Sequence, residues 1–136
     1  MTVYQLYKHF DTVIPRSLSC EWDNDGLMCC PDASREVKKV LVALDATADV
    51  ATEAIEGGYD AIITHHPFIF KGLKSITDGN FIGSKSIDLI RAGISVFSFH
   101  TRLDALNGGV NDCLAQHIGL SELRGLTATD EEHSLG

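Results

Sequence analysis

The sequence predicts an α/β fold in which a parallel-stranded sheet with flanking helices is built around a βαβαβ core. Three apolar, β-branched runs, VKKVLVALD (37–45), DAIITHH (60–66) and ISVFSFH (94–100), have the composition of strands that are covered on both faces. Segments with helical spacing of apolar residues lie between them, at 46–58 and 83–93. Short strand–helix–strand connections of this kind join parallel neighbours through right-handed crossovers, and this order therefore predicts the fold class.

The segments on either side of this core complete the prediction. TVYQLYKHFDTVIP (2–15) has one apolar helical face, a capping Thr2 and a terminating Pro15, and we expect a helix there. GLMCC (26–30) has the character of a short strand, and NGGVNDCLAQHIGL (107–120) that of a last helix. These elements add one helix and one strand before the core and one helix after it.

Length and composition indicate a single domain. The chain has 136 residues, of which 44% are hydrophobic and 22% charged, the balance of a globular protein. We expect residues 1–126 to form one α/β domain and residues 127–136, TATDEEHSLG, to form an acidic polar tail.

Charge and cysteine usage limit the partners and the location. Lys and Arg number 11 against 19 Asp and Glu, so the net charge is −8, which argues against nucleic-acid and anionic-membrane partners. The N-terminus lacks a continuous apolar signal region and no later apolar run approaches membrane-spanning length, so we expect a cytoplasmic protein. The four cysteines form no CxxC pair, and we expect them to be reduced thiols rather than disulfides.

Polar side chains follow each of the three core strands, at the point where the strand ends. In open parallel sheets, ligands bind outside the carboxyl ends of the strands, and these side chains are therefore expected to converge there. They are Asp45 after the first strand, His65 and His66 after the second, and His100 with Asp104 after the third.

These residue types in this arrangement predict a metal site. Pro67 restricts His66 to an extended backbone, so the vicinal histidines are expected to face different ways and to hold two separate ions. A carboxylate such as Asp104 can bridge two such ions. His100 is either a further ligand or a second-shell group that carries protons. The alternative is structural, because vicinal histidines also occur as solvated loop residues or as a core residue beside an exposed one.

Asp45 and the segment after the third strand need separate interpretation. Asp45 either orients a ligand histidine or caps the helix that begins near Thr47, and capping is favoured. The segment HTRLD (100–104) is expected to be a loop, since the glycines at 108–109 place the next helix start later.

The stretch CEWDNDGLMCC (20–30) also has two interpretations. Its polar residues 23–25 either line a substrate cleft or form a turn, with Gly26 in an unusual backbone conformation and Trp22 packed into the core. The turn is favoured.

Three motifs in order, WDNDGL (22–27), IITHHPFIF (62–70) and HTRLDALNGGVNDCLAQHIGL (100–120), resemble the Nif-three-like dinuclear metal-binding family. Its bacterial members are catalogued as GTP cyclohydrolase 1 type 2 homologues, and the likeness is to their N-terminal portion. The resemblance implies an α/β fold, a hexameric ring and a dinuclear metal centre. It also implies the metal ligands His65, His66 and bridging Asp104, with His100 close by.

The chain departs from the family pattern in three respects, one of which is that Cys29 and Cys30 replace the usual apolar residue and glycine after GL. The family normally adds later ligands spaced HxxxE, and this chain stops before them, so it is either the N-terminal part of a longer protein or a shortened protein with an incomplete site. We expect divalent Zn, Mn or Fe, up to two ions, with weakened or single occupancy. Arg102 replaces the family's usual asparagine and is expected to add positive charge for an anionic substrate.

The leading hypothesis is a metal-dependent hydrolase, cyclohydrolase-like or phosphoesterase-like, that acts on a small nucleotide or phosphorylated compound. A water acidified by the metal would be the nucleophile and His100 the proton carrier. The alternatives are a metal-stabilised scaffold or regulatory interaction protein without turnover, and a chain that folds and assembles but does no chemistry.

Overall fold

The computed structural model describes residues 1–125, 127–128 and 134–135. Its main sheet has four strands in the order β1-β4-β3-β2. Strands β2, β3 and β4 are parallel, which confirms the predicted fold class, and β1 pairs with β4 in the antiparallel direction at one edge. The strands are β1 (Gly26–Cys29), β2 (Val40–Ala43), β3 (Ala61–Thr64) and β4 (Ser95–Ser98).

In the described part of the chain five α-helices accompany the sheet, and polar side chains fix the starts of three of them. Thr2, Thr47 and Asn80 each accept a hydrogen bond from a backbone N–H in the first turn of the helix that follows. The helices are α1 (Val3–Val13), α2 (Ala48–Glu56), α3 (Phe81–Ala92), α4 (Thr101–Ala105) and α5 (Val110–His117), with a 3₁₀ turn at Arg16–Leu18.

The core lies on both faces of the sheet. Ile62 and Val96 point towards α2 and α3 and pack with Leu89. Phe97 and Phe99 point to the opposite face, where α1 covers them. Alternate residues of a strand face opposite sides of a sheet, so the apolar runs of the sequence supply both layers at once.

Two further predictions concern residues 100–104 and the acidic tail. Residues 100–104 were expected to form a loop, and that prediction is wrong, because α4 begins at Thr101. Within the acidic tail, Thr127–Ala128 and Ser134–Leu135 pair as short antiparallel strands, β5 and β6. Residues 126, 129–133 and 136 lie outside the described residues, so the domain boundary stays a prediction. No helix in the described part of the chain has the length and apolarity needed to cross a bilayer.

Candidate metal centre

The parallel register brings the three polar strand ends to the same edge of the sheet. Ala43 of β2 lies opposite Thr64 of β3, which lies opposite Ser98 of β4. The ladder continues one step further, since His66 N donates to Leu44 O at 3.0 Å and Phe99 N donates to Thr64 O at 2.9 Å. The polar residues that follow each strand therefore leave the sheet at the same level.

His65, His66 and His100 form a row of imidazoles at this edge. The ring centroids of His65 and His66 are 5.0 Å apart, and His100 lies 5.4 Å from the first and 5.9 Å from the second. The vicinal rings are inclined at 51°. Residues that are 35 positions apart in the chain thus form one cluster because the sheet joins their strands.

An oxygen acceptor contacts the Nδ1 atom of every imidazole in this row. Such a contact fixes the ring orientation and leaves Nε2 as the nitrogen that is available to another partner. The Nδ1 contacts are His65 to Phe99 O at 3.1 Å, His66 to Asp45 Oδ1 at 2.8 Å and His100 to Asp23 Oδ1 at 3.0 Å.

Asp45 orients a histidine rather than capping a helix, so the favoured prediction for it is wrong. Its carboxylate contacts His66, while the cap of α2 is Thr47, whose Oγ1 accepts from Val50 N at 3.2 Å. The Thr47 hydroxyl, two residues nearer to the helix start, satisfies the free N–H group, and the Asp45 carboxylate can therefore turn to the neighbouring strand end.

Asp104 lies beside the buried side of this row. Its Oδ1 is 3.5 Å from His65 Nε2, and both side chains are largely shielded from solvent. The carbonyl of Phe99 can only accept a hydrogen bond, so Nδ1 of His65 is the donor in that contact, and whenever the ring is neutral its lone pair is on Nε2. Two acceptors then face each other, and a proton or a cation between them would relieve the repulsion.

The donor atoms are not closed into a cage. Across residues 1–125, 127–128 and 134–135, no set of three or more His, Cys, Asp and Glu side chains is close enough together to hold an ion. The imidazoles instead form an open row with one carboxylate at its side.

Asp23, for which the sequence favours a turn, is the partner of His100 and of the start of α4. Its fully buried carboxylate accepts from Thr101 N at 3.1 Å and Thr101 Oγ1 at 2.6 Å, as well as contacting His100. Burial acts to raise the pKa of Asp23, but these hydrogen bonds outweigh it and hold the pKa below its ordinary value. This distant cap explains why residues 101–105 are helical without a capping side chain of their own.

The turn around Asp23 is also present. Asn24 N donates to Asp23 Oδ1 at 2.8 Å, and Gly26 has φ of 105°. The turn is therefore confirmed, and it places a carboxylate against the imidazole row, whereas the substrate cleft stays a prediction.

Arg102 does not face a substrate, and that expectation is wrong. Its side chain is fully buried and donates to both Asp25 oxygens at 2.9 Å, to Asp11 Oδ1 at 2.9 Å and to Ile14 O at 3.0 Å. Burial acts to lower the pKa of this guanidinium, but the two carboxylates outweigh it and raise the pKa above its ordinary value. Arg102 therefore ties α4 to α1 and to the loop before β1.

Trp22 does not pack into the core, and that part of the turn interpretation is wrong. The residue is 65% exposed. Its ring lies edge-to-face with Phe70 at 6.3 Å and with His100 at 6.3 Å between centroids. The apolar character of tryptophan suggested burial, but the turn directs it to the outer side of the imidazole row.

Comparison with known proteins gives sequence relatives and solved structures. The chain is 34% identical over its whole length to a GTP cyclohydrolase 1 type 2 homolog of Clostridium perfringens, of which it covers 52%. A crystal structure of a Staphylococcus aureus protein matches 93% of the chain with a TM-score of 0.86 and 41% identity, and the match covers 36% of that protein. A Bacillus cereus protein related to NIF3 matches 93% of the chain, and 35% of its own length, with a TM-score of 0.86 and 35% identity.

The chain thus spans about half, or less, of the length of these relatives. A family model described as Duf34/NIF3 (NGG1p interacting factor 3) matches residues 1–136. The resemblance seen in the three sequence motifs is confirmed, and the chain belongs to the Duf34/NIF3 family.

Proposed function

We propose that the imidazole row and Asp104 hold divalent metal and that the protein is a metal-dependent hydrolase of a small nucleotide or phosphorylated compound. The observation that carries the proposal is the pairing of His65 Nε2 with Asp104 Oδ1 at 3.5 Å, while Nδ1 of the same ring is bonded to a carbonyl. Two ligands of one tetrahedral zinc ion are about 3.4 Å apart when each bond is about 2.1 Å long. The spacing of this pair therefore suits a shared ion.

The donor set also suits the expected metals. His65, His66 and Asp104 offer two imidazole nitrogens and a carboxylate, which favours Zn, Mn or Fe over Ca. Asp45 and the Phe99 carbonyl supply the outer contacts that metal-ligating histidines usually make. When bound, such an ion lowers the pKa of a coordinated water towards neutrality.

His100 is the proton carrier in this proposal. Its Nδ1 contacts buried Asp23 at 3.0 Å, so a proton taken up at Nε2 would give an imidazolium next to a carboxylate. That carboxylate is held in place by Thr101 as well, and it can fix the ring through the proton transfer.

The experiment that tests the proposal compares wild-type protein with His100→Gln after chelation and reconstitution with Zn, Mn or Fe. We expect wild type to take up metal, with weakened or single occupancy of a site for up to two ions, and to hydrolyse a member of a nucleotide and phosphoester panel. His100→Gln should keep its metal content but lose turnover by about 100-fold or more, the usual contribution of a general acid or base. His117→Gln, a change at the end of α5, is the matched control.

Other results would contradict parts of the proposal. Bound metal without turnover of any compound would favour the metal-stabilised scaffold or regulatory interaction protein. Absence of metal after reconstitution with all three ions would refute the metal centre itself.

The proposal also includes assembly and location. The protein forms a homo-oligomeric ring, hexameric as the resemblance implies, and works in the cytoplasm. On edge strand β2 and just after it, Val42 and Leu44 point to the same side of the sheet and are 73% and 61% exposed. Exposed apolar residues on a strand at a sheet edge are typical of contact surfaces. Mass measurement in solution should give a multiple of the chain mass, whereas a monomer at micromolar concentration would contradict the ring.

A further inference from the structure

An exposed aromatic pair, Trp22 and Phe70, lies at the open side of the imidazole row. The two side chains are 65% and 48% exposed, and their rings are 75° from parallel. His100 touches both, with ring centroids 6.3 Å from Trp22 and 6.4 Å from Phe70. Large aromatic side chains left in water next to a row of titratable side chains indicate a recognition surface.

We propose that this pair binds a planar heteroaromatic ring of an anionic ligand and directs that ligand to the imidazole row. Trp22 and Phe70 contact each other and His100 at steep ring angles and still remain largely exposed, so aromatic surface stays open to a planar ligand. Stacking on such a face is tolerant of ring identity, because every heterocycle of this kind has a π-face. A ring placed there would lie against His100.

The anionic part of the ligand is inferred from the cavity next to Phe70. This cavity, of about 520 Å³, is lined by residues 67–75 together with Asn80 and Ile82. Lys71 and Lys74 are exposed and belong to this lining, although the chain as a whole has a net charge of −8. Two ammonium groups in an acidic protein make this loop the favoured place for a phosphate next to the aromatic pair.

The ligand class follows from the two neighbouring features. A planar ring with a phosphate within one small molecule is the chemistry of a nucleotide. The inference rests on the proposed function, since it supplies the recognition element for the same site. A small molecule fits better than a protein surface, because Phe70 both contacts His100 of the imidazole row and lines the cavity that contains the two lysines.

Trp22 is the only tryptophan in the chain, so its fluorescence reports on this place alone. Metal-free and metal-loaded protein would be titrated with guanosine monophosphate, cytidine monophosphate and ribose 5-phosphate, with excitation at the red edge of the indole absorption. We expect quenching by both nucleotides, tighter binding of the purine because its ring is larger, and at least about tenfold weaker binding of ribose 5-phosphate.

Matched phenylalanine variants make the assignment specific. Phe70→Leu should weaken the binding of guanosine monophosphate by about fivefold or more, which corresponds to the lower end of the free energy of a base–aromatic contact. Phe81→Leu, which removes another exposed phenylalanine at the start of α3, should bind guanosine monophosphate with the affinity of wild type. Trp22→Ala, followed by equilibrium dialysis because the fluorophore is lost, should weaken binding by at least as much as Phe70→Leu.

The inference would be overturned by wild-type affinity in Phe70→Leu, or by ribose 5-phosphate binding as tightly as the nucleotides. Failure of every nucleotide to bind would also overturn it and would leave the pair as a protein-contact surface. These outcomes are separable from failure of the proposed function, which is read from metal content. Metal binding without ring binding would refute only the inference, and ring binding by a protein that takes up no metal would refute only the metal centre.

Discussion

Asp104→Asn is expected to lower metal affinity by at least about 100-fold. Loss of a residue that only contacts a ligand lowers metal affinity by up to about 100-fold, and loss of a ligand itself should cost at least as much. The variant keeps the size of the side chain but removes the charge that faces His65 Nε2 at 3.5 Å. It also removes the second carboxylate oxygen needed to bridge two ions. Metal content after reconstitution and dialysis, measured by elemental analysis, is the readout.

Asp88→Asn is the control for that experiment. Asp88 is an aspartate on α3 whose side chain is about half exposed, and its nearest cation is Arg91 at 4.0 Å. Metal content in this variant should equal that of wild type. Stoichiometric metal in Asp104→Asn, with an unchanged circular dichroism spectrum, would show that Asp104 is not a ligand.

The fold could be predicted because its determinants are local. The β-branched composition of residues 37–45, 60–66 and 94–100 identifies strands, and the helical spacing between them identifies crossovers. The structure confirms the parallel strands, although each is only four residues long and ends earlier than its apolar run. Proximity of residues 45, 65, 66 and 100 then follows from topology, since parallel strands end at the same edge.

The contacts between distant segments could not be predicted. Asp23 reaches Thr101 across 78 positions, and that contact converts an expected loop into the helix that carries Asp104. No side chain near residue 100 caps α4, and the carboxylate that accepts from Thr101 N lies 78 positions away, so only the folded chain reveals the cap. Asp45 shows the same limit, because a carboxylate next to a helix start has the local signature of a cap whether or not it turns to His66.

Arg102 is the case in which residue type misled most. An arginine near a candidate metal site suggests an anionic substrate, but the identity of its partners depends on Asp11 and Asp25, which are 91 and 77 positions away. The carboxylates satisfy the guanidinium inside the protein, and it is their geometry, not the charge of the arginine, that decides its role.

Arg102→Met is therefore expected to lower the free energy of unfolding. The variant leaves Asp25, which is almost fully buried, without its main cation, and removal of one partner of a buried ion pair costs about 3–5 kcal/mol. Since whole proteins are stable by only about 5–15 kcal/mol, a large part of the folding free energy would be lost. Denaturant unfolding, extrapolated to water, measures this free energy.

A second variant separates lost packing from an orphaned charge. Adding Asp25→Asn to Arg102→Met removes the uncompensated carboxylate, and the double variant should recover part of the loss because a neutral amide is cheaper to bury. Arg91→Met, at an exposed arginine on α3, should change stability by no more than about 0.5 kcal/mol. If Arg102→Met instead kept wild-type stability and lost only affinity for phosphorylated ligands, the guanidinium would have to face the ligand in solution. Its four hydrogen bonds, which join α4 to two earlier segments, argue for the structural outcome.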